Sequence, residues 1–194
     1  MTDPHEEPAS DTSPADPLAW TTLDSAVDYA CPGFDVRRDE VVLPDGTQTD
    51  YHYVDEPPAV VVLPFTPDGE VVVIEEWRQA VRRVNRGLPA GTAETADDSL
   101  AETARRELAE ETGHEARSVE RFLTVEPANG VADIEHHYFR AVDCEPTAEQ
   151  RLDHNESIRV ATAAYDDLLA AAVDGDLRDG RAVTALLHHE LTER

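Results

Sequence analysis

Arg106-Glu107-Leu108-Ala109-Glu110-Glu111-Thr112-Gly113 is the stretch that decides how this chain folds. From Ser99 to Thr112, Leu100, Ala104 and Leu108 recur at helical spacing, which predicts an amphipathic helix. Ser99 and Glu102 match a capping box, Asp97 and Asp98 add negative charge at its start, and Gly113 suits the position past its last turn. On such a helix Glu107, Glu110 and Glu111 share one face, at positions i, i+3 and i+4. Three like charges there oppose helix formation, and a hard divalent cation removes the repulsion. A solvated acidic face accounts for the same three residues in an acidic chain. The triplet alone leaves both readings open.

The rest of the chain is acidic too. Its 194 residues hold 42 Asp and Glu against 16 cations, all of them arginine, for a net charge of -26. Such a surface repels nucleic acid and anionic membrane, which excludes a polyanion partner. Acidic residues run through the whole length, a composition similar to that of salt-loving archaea. The length suits one domain with a short appendage. Cys31 and Cys144 are far apart, outside any CxxC, and are expected as small buried side chains in a reducing cytosol. No secretory leader or membrane span is expected, and the protein is read as cytoplasmic.

Residues 1–17 are rich in Pro, Ser, Thr and acids and are expected to form a disordered tail. Residues 18–57 are read as an N-terminal β subdomain. In it Phe34-Asp35-Val36 and Glu40 to Leu43 flank a polar break, Pro44-Asp45-Gly46 turns, and Tyr51 to Val54 returns. Residues 58–194 form the main domain. The apolar run Ala59 to Phe65 predicts a buried strand, and with Val71 to Ile74 it suggests a hairpin across Pro67-Asp68-Gly69. Arg78 to Gly87 reads as a polar connection. Further strands are expected at Phe122–Val125, His136–Val142 and Ile158–Val160, and helices at Asp166–Val173 and Asp179–Leu191.

With its flanks, the acidic helix resembles the Nudix box, G-x5-E-x7-R-E-U-x-E-E-x-G-U, where U is a bulky apolar residue. Arg106 to Gly113 matches the second half without a gap, with His114 at the final U. The first half departs: the acid seven residues before Arg106 is Asp98, and six residues, not five, separate it from Gly91. Either Asp98 serves across a one-residue bulge, or Asp97 serves with a longer reach. The resemblance implies an α/β fold, an α/β/α sandwich around a mixed β-sheet, with the N-terminal hairpin as a small extra sheet. It also implies that Glu107, Glu110 and Glu111, with the Ala90 carbonyl, hold Mg²⁺ (or Mn²⁺ in its place). The metal would neutralise a diphosphate and activate water. Arg106 would pin the carboxylates by ion pairs and stand with Arg78 on the substrate side.

Val71 to Arg78 followed by Leu88-Pro89-Ala90-Gly91 is similar to the ADP-ribose pyrophosphatase branch of that family. In that branch Arg78 would contact the phosphates, where a guanidinium fork fits. Arg82, Arg83 and Arg86 make a local cationic patch, or else a salt-bridged surface. Gly87 replaces the glutamate expected before Leu-Pro-Ala-Gly, and Pro127-Ala128-Asn129-Gly130 only roughly matches the expected proline-glycine turn. A late loop in this branch supplies a catalytic glutamate, here Glu156 with His154 beside it; Glu135 and Asp133 are rivals. The implied reaction splits ADP-ribose into AMP and ribose 5-phosphate in a homodimer paired through the N-terminal sheet. The alternatives are another nucleoside-diphosphate sugar, a dinucleotide, or a non-catalytic nucleotide sensor.

Overall fold

The computed structural model describes residues 16–154 and 156–193. The expected tail therefore lies, up to residue 15, outside the described residues. The chain divides into two compact units, Met1–Asp55 and Glu56–Arg194.

In the first unit, β1 (Thr21–Ala30), β2 (Asp35–Val42) and β3 (Gln48–Asp55) pair antiparallel in sequence order. The expected hairpin is thus three-stranded. The expected break in its middle is absent, because Arg37-Arg38-Asp39 continues β2. Acids at hand stabilise these cations there: Arg37 reaches Asp55 at 3.3 Å, and Arg38 reaches Glu40 at 3.1 Å and Asp28 at 3.5 Å. Gly46, at φ 86°, makes the β2–β3 turn.

The second unit is built on β4 (Ala59–Pro64). It pairs in parallel with β10 (His136–Glu145) and antiparallel with β7 (Ala90–Thr92). The mixed sheet runs β7-β4-β10-β8, with β8 at Glu115–Val125; a two-residue strand, β9, spans Ala132–Asp133. β5 (Glu70–Arg78) lies instead in an antiparallel sheet of order β11-β5-β6, with β6 at Arg83–Gly87 and β11 at Ile158–Ala164.

Two expectations are corrected here. β4 and β5 follow one another through the Gly69 turn but do not form a hairpin, and a single bridge joins Phe65 to Val71. The reason is that both edges of each strand are already taken by other partners. The stretch Arg78–Gly87 is not all connection, because its second half pairs with β5 as β6, Val84 opposite Trp77.

The apolar run of β4 is buried on both faces, as its lack of alternation predicts. Val60 and Val62 pack with Ala104 and Leu108 of α1 (Leu100–Thr112), and with Phe139 and Cys144. Val61 and Leu63 face the other way, towards Leu168 of α2 (Tyr165–Asp174) and Ala185 and Leu186 of α3 (Gly180–Glu193). Helices therefore cover both sides of the sheet, in an α/β/α arrangement. Cys144 is buried, and burial pushes its thiol up to about 12, whereas Cys31 is only partly covered; both are free thiols.

Candidate active site

The helix forms as its sequence requires. The Ser99 hydroxyl accepts the Glu102 N–H at 3.3 Å, and the Glu102 carboxylate accepts the Asp98 N–H at 3.1 Å, one residue short of the reciprocal capping bond. Gly113 closes the helix at φ 71°, its N–H donating to Ala109. Leu108 is wholly buried, so truncating it to Ala would cost about 2–5 kcal/mol. With the apolar stripe fixed, the acidic stripe faces the lead-in strand β7.

There Gly91 leaves room for the carboxylate. A Cβ at that position would fall 2.1–2.3 Å from the Glu107 carboxylate atoms, so any other residue would push that side chain aside. Glu111 is 2% exposed and accepts the Ala90 N–H at 3.0 Å. Burial first, then the neighbouring charges of Glu107, Glu156 and Glu76, push its carboxyl up to about 8, against the Ala90 hydrogen bond. Burial likewise pushes Glu107 up to about 7, with Glu110 and Glu156 adding to the shift and Arg106 opposing it.

Arg106 gathers the acids around it. It donates to Asp97 at 3.0 and 3.2 Å, to Glu107 at 2.8 Å, to Glu110 at 3.1 Å and to the Thr92 carbonyl at 3.0 Å. The Asp97 carboxyl is held well below the ordinary range, chiefly by that hydrogen bond to Arg106, with the Glu94 N–H and the Thr103 hydroxyl adding to it. Of Asp97 and Asp98, Asp97 is the partner of Arg106, and Asp98 is exposed. Five residues separate Gly91 from Asp97, and the extra residue falls between Asp97 and Arg106, where the helix begins.

Glu156 enters the same field, since its charge acts on Glu107, Glu111 and Glu76. Its carboxylate also accepts the Asp153 N–H at 2.9 Å, which shapes the loop, while His154 is exposed. Of the rivals, Glu135 pairs with His137 at 3.3 Å, and Asp133 is exposed on β9. Arg78, at the end of β5, pairs with Glu76 at 2.7 Å. In the cationic loop, Arg86 pairs with Glu75, which also binds Arg159, and Arg83 bonds Asn85.

Sequence reasoning passed over three residues here. Glu76 is 7% exposed, and burial raises its carboxyl despite Arg78. Asp179 and Arg181 begin α3. Asp179 accepts the N–H groups of Arg181 and Ala182 and caps the helix, while the Arg181 guanidinium grips the same carboxylate at 3.0 and 3.3 Å. Asp179 stands at the start of the helix expected over Asp179–Leu191 and acts on Arg181 first, but the other acids that Arg181 senses, Glu111 and Glu76, come from α1 and β5.

The carboxylates suit a hard divalent ion, being oxygen donors crowded on one helix face, with Glu107 and Glu111 mostly buried. Among the described residues, no three such side chains already converge on one point, since Arg106 draws Glu107 and Glu110 while Glu111 turns to Ala90.

Comparison with known proteins agrees with this geometry. Residues 55–185 match the family described as NUDIX domain, and residues 20–54 match the nucleoside diphosphate sugar hydrolase N-terminal domain. The chain is 29% identical over 160 residues to the ADP-ribose pyrophosphatase of Bacillus subtilis (strain 168), covering 82% of this chain and 86% of that protein. It is 30% identical over 159 residues to the methanol dehydrogenase activator of Bacillus methanolicus, with 81% and 85% covered. A solved structure described as an ADP compounds hydrolase superposes with a TM-score of 0.77 at 22% identity, covering 90% of this chain and 94% of that one. The chain belongs to the NUDIX family and is a Nudix hydrolase.

Proposed function

We propose that this hydrolase acts on ADP-ribose, with water splitting the diphosphate into AMP and ribose 5-phosphate, and that Mg²⁺ is its metal, with Mn²⁺ able to substitute. Nudix hydrolases use divalent ions, and hydrolysis of nucleoside diphosphate derivatives is the activity of this chain's class. The observation that carries the reading is the acidic face of α1, with Glu111 buried against Ala90 and Glu156 acting on the same carboxylates.

Glu107, Glu110 and Glu111, beside Ala90, are the residues that would hold the ion. Bound there, a divalent cation offsets the diphosphate charge and favours attack of water on phosphorus. Arg106 acts indirectly, by fixing the carboxylates from one side. Arg78 meets the substrate phosphates from the end of β5. Glu156 orients the attacking water and takes its proton, because it faces the helix acids from the opposite loop. A second reading, a nucleoside-diphosphate sugar as substrate, is favoured by a GDP-mannose pyrophosphatase of Yersinia enterocolitica, 29% identical over 144 residues.

A panel of nucleoside diphosphate derivatives with Mg²⁺ tests the assignment. AMP released fastest from ADP-ribose is the expected result. Faster turnover of a sugar nucleotide overturns the substrate, and tight binding with no turnover of any compound overturns catalysis in favour of a sensor. Running the panel in dilute and in molar KCl tests salt adaptation, for which the charge of -26 argues. Leu23 and Tyr29 of β1, with Leu18 and Trp20 just before it, are exposed, which supports pairing of two chains in the cytoplasm through that sheet. A monomer by sedimentation overturns it.

A further inference from the structure

A cavity of about 470 Å³ opens where the end of β8, the start of β10 and the first turn of α3 come together. That size lies within the about 300–1,000 Å³ typical of ligand sites. Its polar lining is Glu126, His136, Tyr138, Asp179, Arg181 and Thr184. Two of these connect it to the carboxylate site, for Arg181 feels the charges of Glu111 and Glu76, and Asp179 acts on Glu76.

The lining has hydrogen-bonding capacity but little net positive charge. Arg181 is gripped by Asp179, so the pair is close to neutral. Burial, then the nearby Arg181, lowers the His136 pKa against Asp179 and so favours the neutral ring. Its Nδ1 is buried and has no hydrogen-bond partner among the described residues. That nitrogen lies beneath the cavity surface, so what His136 offers an occupant is the rest of its ring. Tyr138 and Thr184 share a hydrogen bond and add hydroxyls, and Glu126 adds a carboxylate. A further phosphate would meet Glu126 with only a neutralised arginine in compensation. A polyhydroxylated, uncharged group meets donors and acceptors in alternation.

The glycine at 87 belongs to the same arrangement. A Cβ there would sit 3.3 Å from the Asp179 carboxylate, so the glycine lets β6 lie against the start of α3. An acid stands at this place after all, supplied by Asp179 rather than by residue 87.

We propose that this cavity is the subsite for the sugar half of the substrate, the uncharged, hydroxyl-rich group beyond the second phosphate, and that Asp179 and Arg181 join it to the carboxylate site. The proposal rests on the hydrolase reading above. It makes Thr184 a specificity-determining residue, since its side chain lies on the cavity wall.

The test compares ADP-ribose with the methyl ester of ADP, which has the same diphosphate bond but a methyl group in place of the terminal ribose. In Thr184→Leu, which fills the cavity, the ratio of kcat/KM for ADP-ribose to that for the methyl ester should fall about tenfold or more, mainly through the KM for ADP-ribose. Thr184→Val keeps the volume and removes the hydroxyl, so its ratio should fall about threefold, and it decides the matter if the leucine variant does not fold. A ratio held within twofold of wild type in the folded variants overturns the subsite while leaving the hydrolase reading intact. If wild type turns over neither compound, the hydrolase reading fails by itself. The same ratio is then taken from dissociation constants measured by calorimetry with Ca²⁺, and equal weakening of both compounds overturns the subsite.

Discussion

Arg106 and Arg181 are alike in exposure, at 23% and 25% of the side chain, yet they are held differently. Arg106 has four acids within reach, Asp97, Glu107, Glu110 and Glu94, drawn from its own helix and the loop before it. Arg181 has one direct acidic partner, Asp179, two residues away, and senses Glu111 and Glu76 from other elements. The first arginine is wired into a local scaffold; the second stands between the carboxylates and a cavity. An arginine saturated by neighbours fixes geometry, and one with a single partner is available to face a ligand.

The largest effect expected on this scheme comes from Glu111→Gln, on the helix of the first arginine and within the field of the second. The amide oxygen still accepts the Ala90 N–H, so melting should be unchanged or slightly raised, because the cost of burying an ionisable carboxyl disappears. Turnover should nevertheless fall by about a thousandfold or more, because a metal-holding carboxylate is lost. A folded variant retaining kcat within tenfold of wild type would break the assignment of α1 as the metal platform.

Next in size is the stability difference between the arginines themselves. Arg106→Ala leaves several partly buried acids without their cation and should cost about 2–3 kcal/mol in urea unfolding. Arg181→Ala leaves only Asp179, which keeps two backbone donors, and should cost about 1–2 kcal/mol. Equal costs would remove the contrast. Arg106→Lys should recover only part of the loss, since an ammonium cannot serve Asp97, Glu107 and Glu110 with one planar fork.

How well the sequence could be read follows the same division. Arg106, the helix acids, the cap at Ser99 and the stop at Gly113 are local features, and spacing along one helix reveals them. The double burial of Ala59–Pro64 was legible for a similar reason, since a run without alternation must be covered on both faces. The split of β4 and β5 into different sheets was not legible, because the Pro67-Asp68-Gly69 turn is compatible with a hairpin and distant strands decide otherwise. Arg83–Gly87 read as a connection because Arg, Asn and Gly carry little strand preference, and pairing with β5 overrides it. Glu76, Asp179 and Arg181 gain their meaning from α1, β5 and α3 meeting in space, which no local spacing records.

A smaller effect sharpens the reading of the loop before α1. Asp97→Asn weakens the hydrogen bonds to Arg106 and should cost about 1–2 kcal/mol in urea unfolding. Asp98→Asn, at an exposed position that contributes its backbone N–H, should stay within about 0.5 kcal/mol. The reverse order would move the extra residue back between Gly91 and the acid.

The smallest effect expected is a pH dependence of melting in the metal-free chain, and its sign distinguishes the two sides of the site. Burial pushes the Glu107 and Glu111 carboxyls up to about 7 and 8 from 4.5. The folded chain therefore holds protons that the unfolded chain has already released. Their stabilising contribution is full below 4.5 and is lost as pH rises through the folded values, with no further loss above them. Between about pH 6 and 8.5 ordinary carboxyls have finished ionising and His136, with its lowered pKa, acts in the opposite sense, so the part of the Tm fall in EDTA that Glu111→Gln removes reports the raised carboxyl. Glu111→Gln should flatten the fall, whereas Thr184→Val, on the cavity side, should leave it as in wild type. A divalent ion should also flatten it, by favouring the ionised carboxylates in the fold. A wild-type Tm that stays level in EDTA across this window would mean that the acids of α1 are as well solvated as any on the surface, and the burial argument for a metal platform would lose its footing.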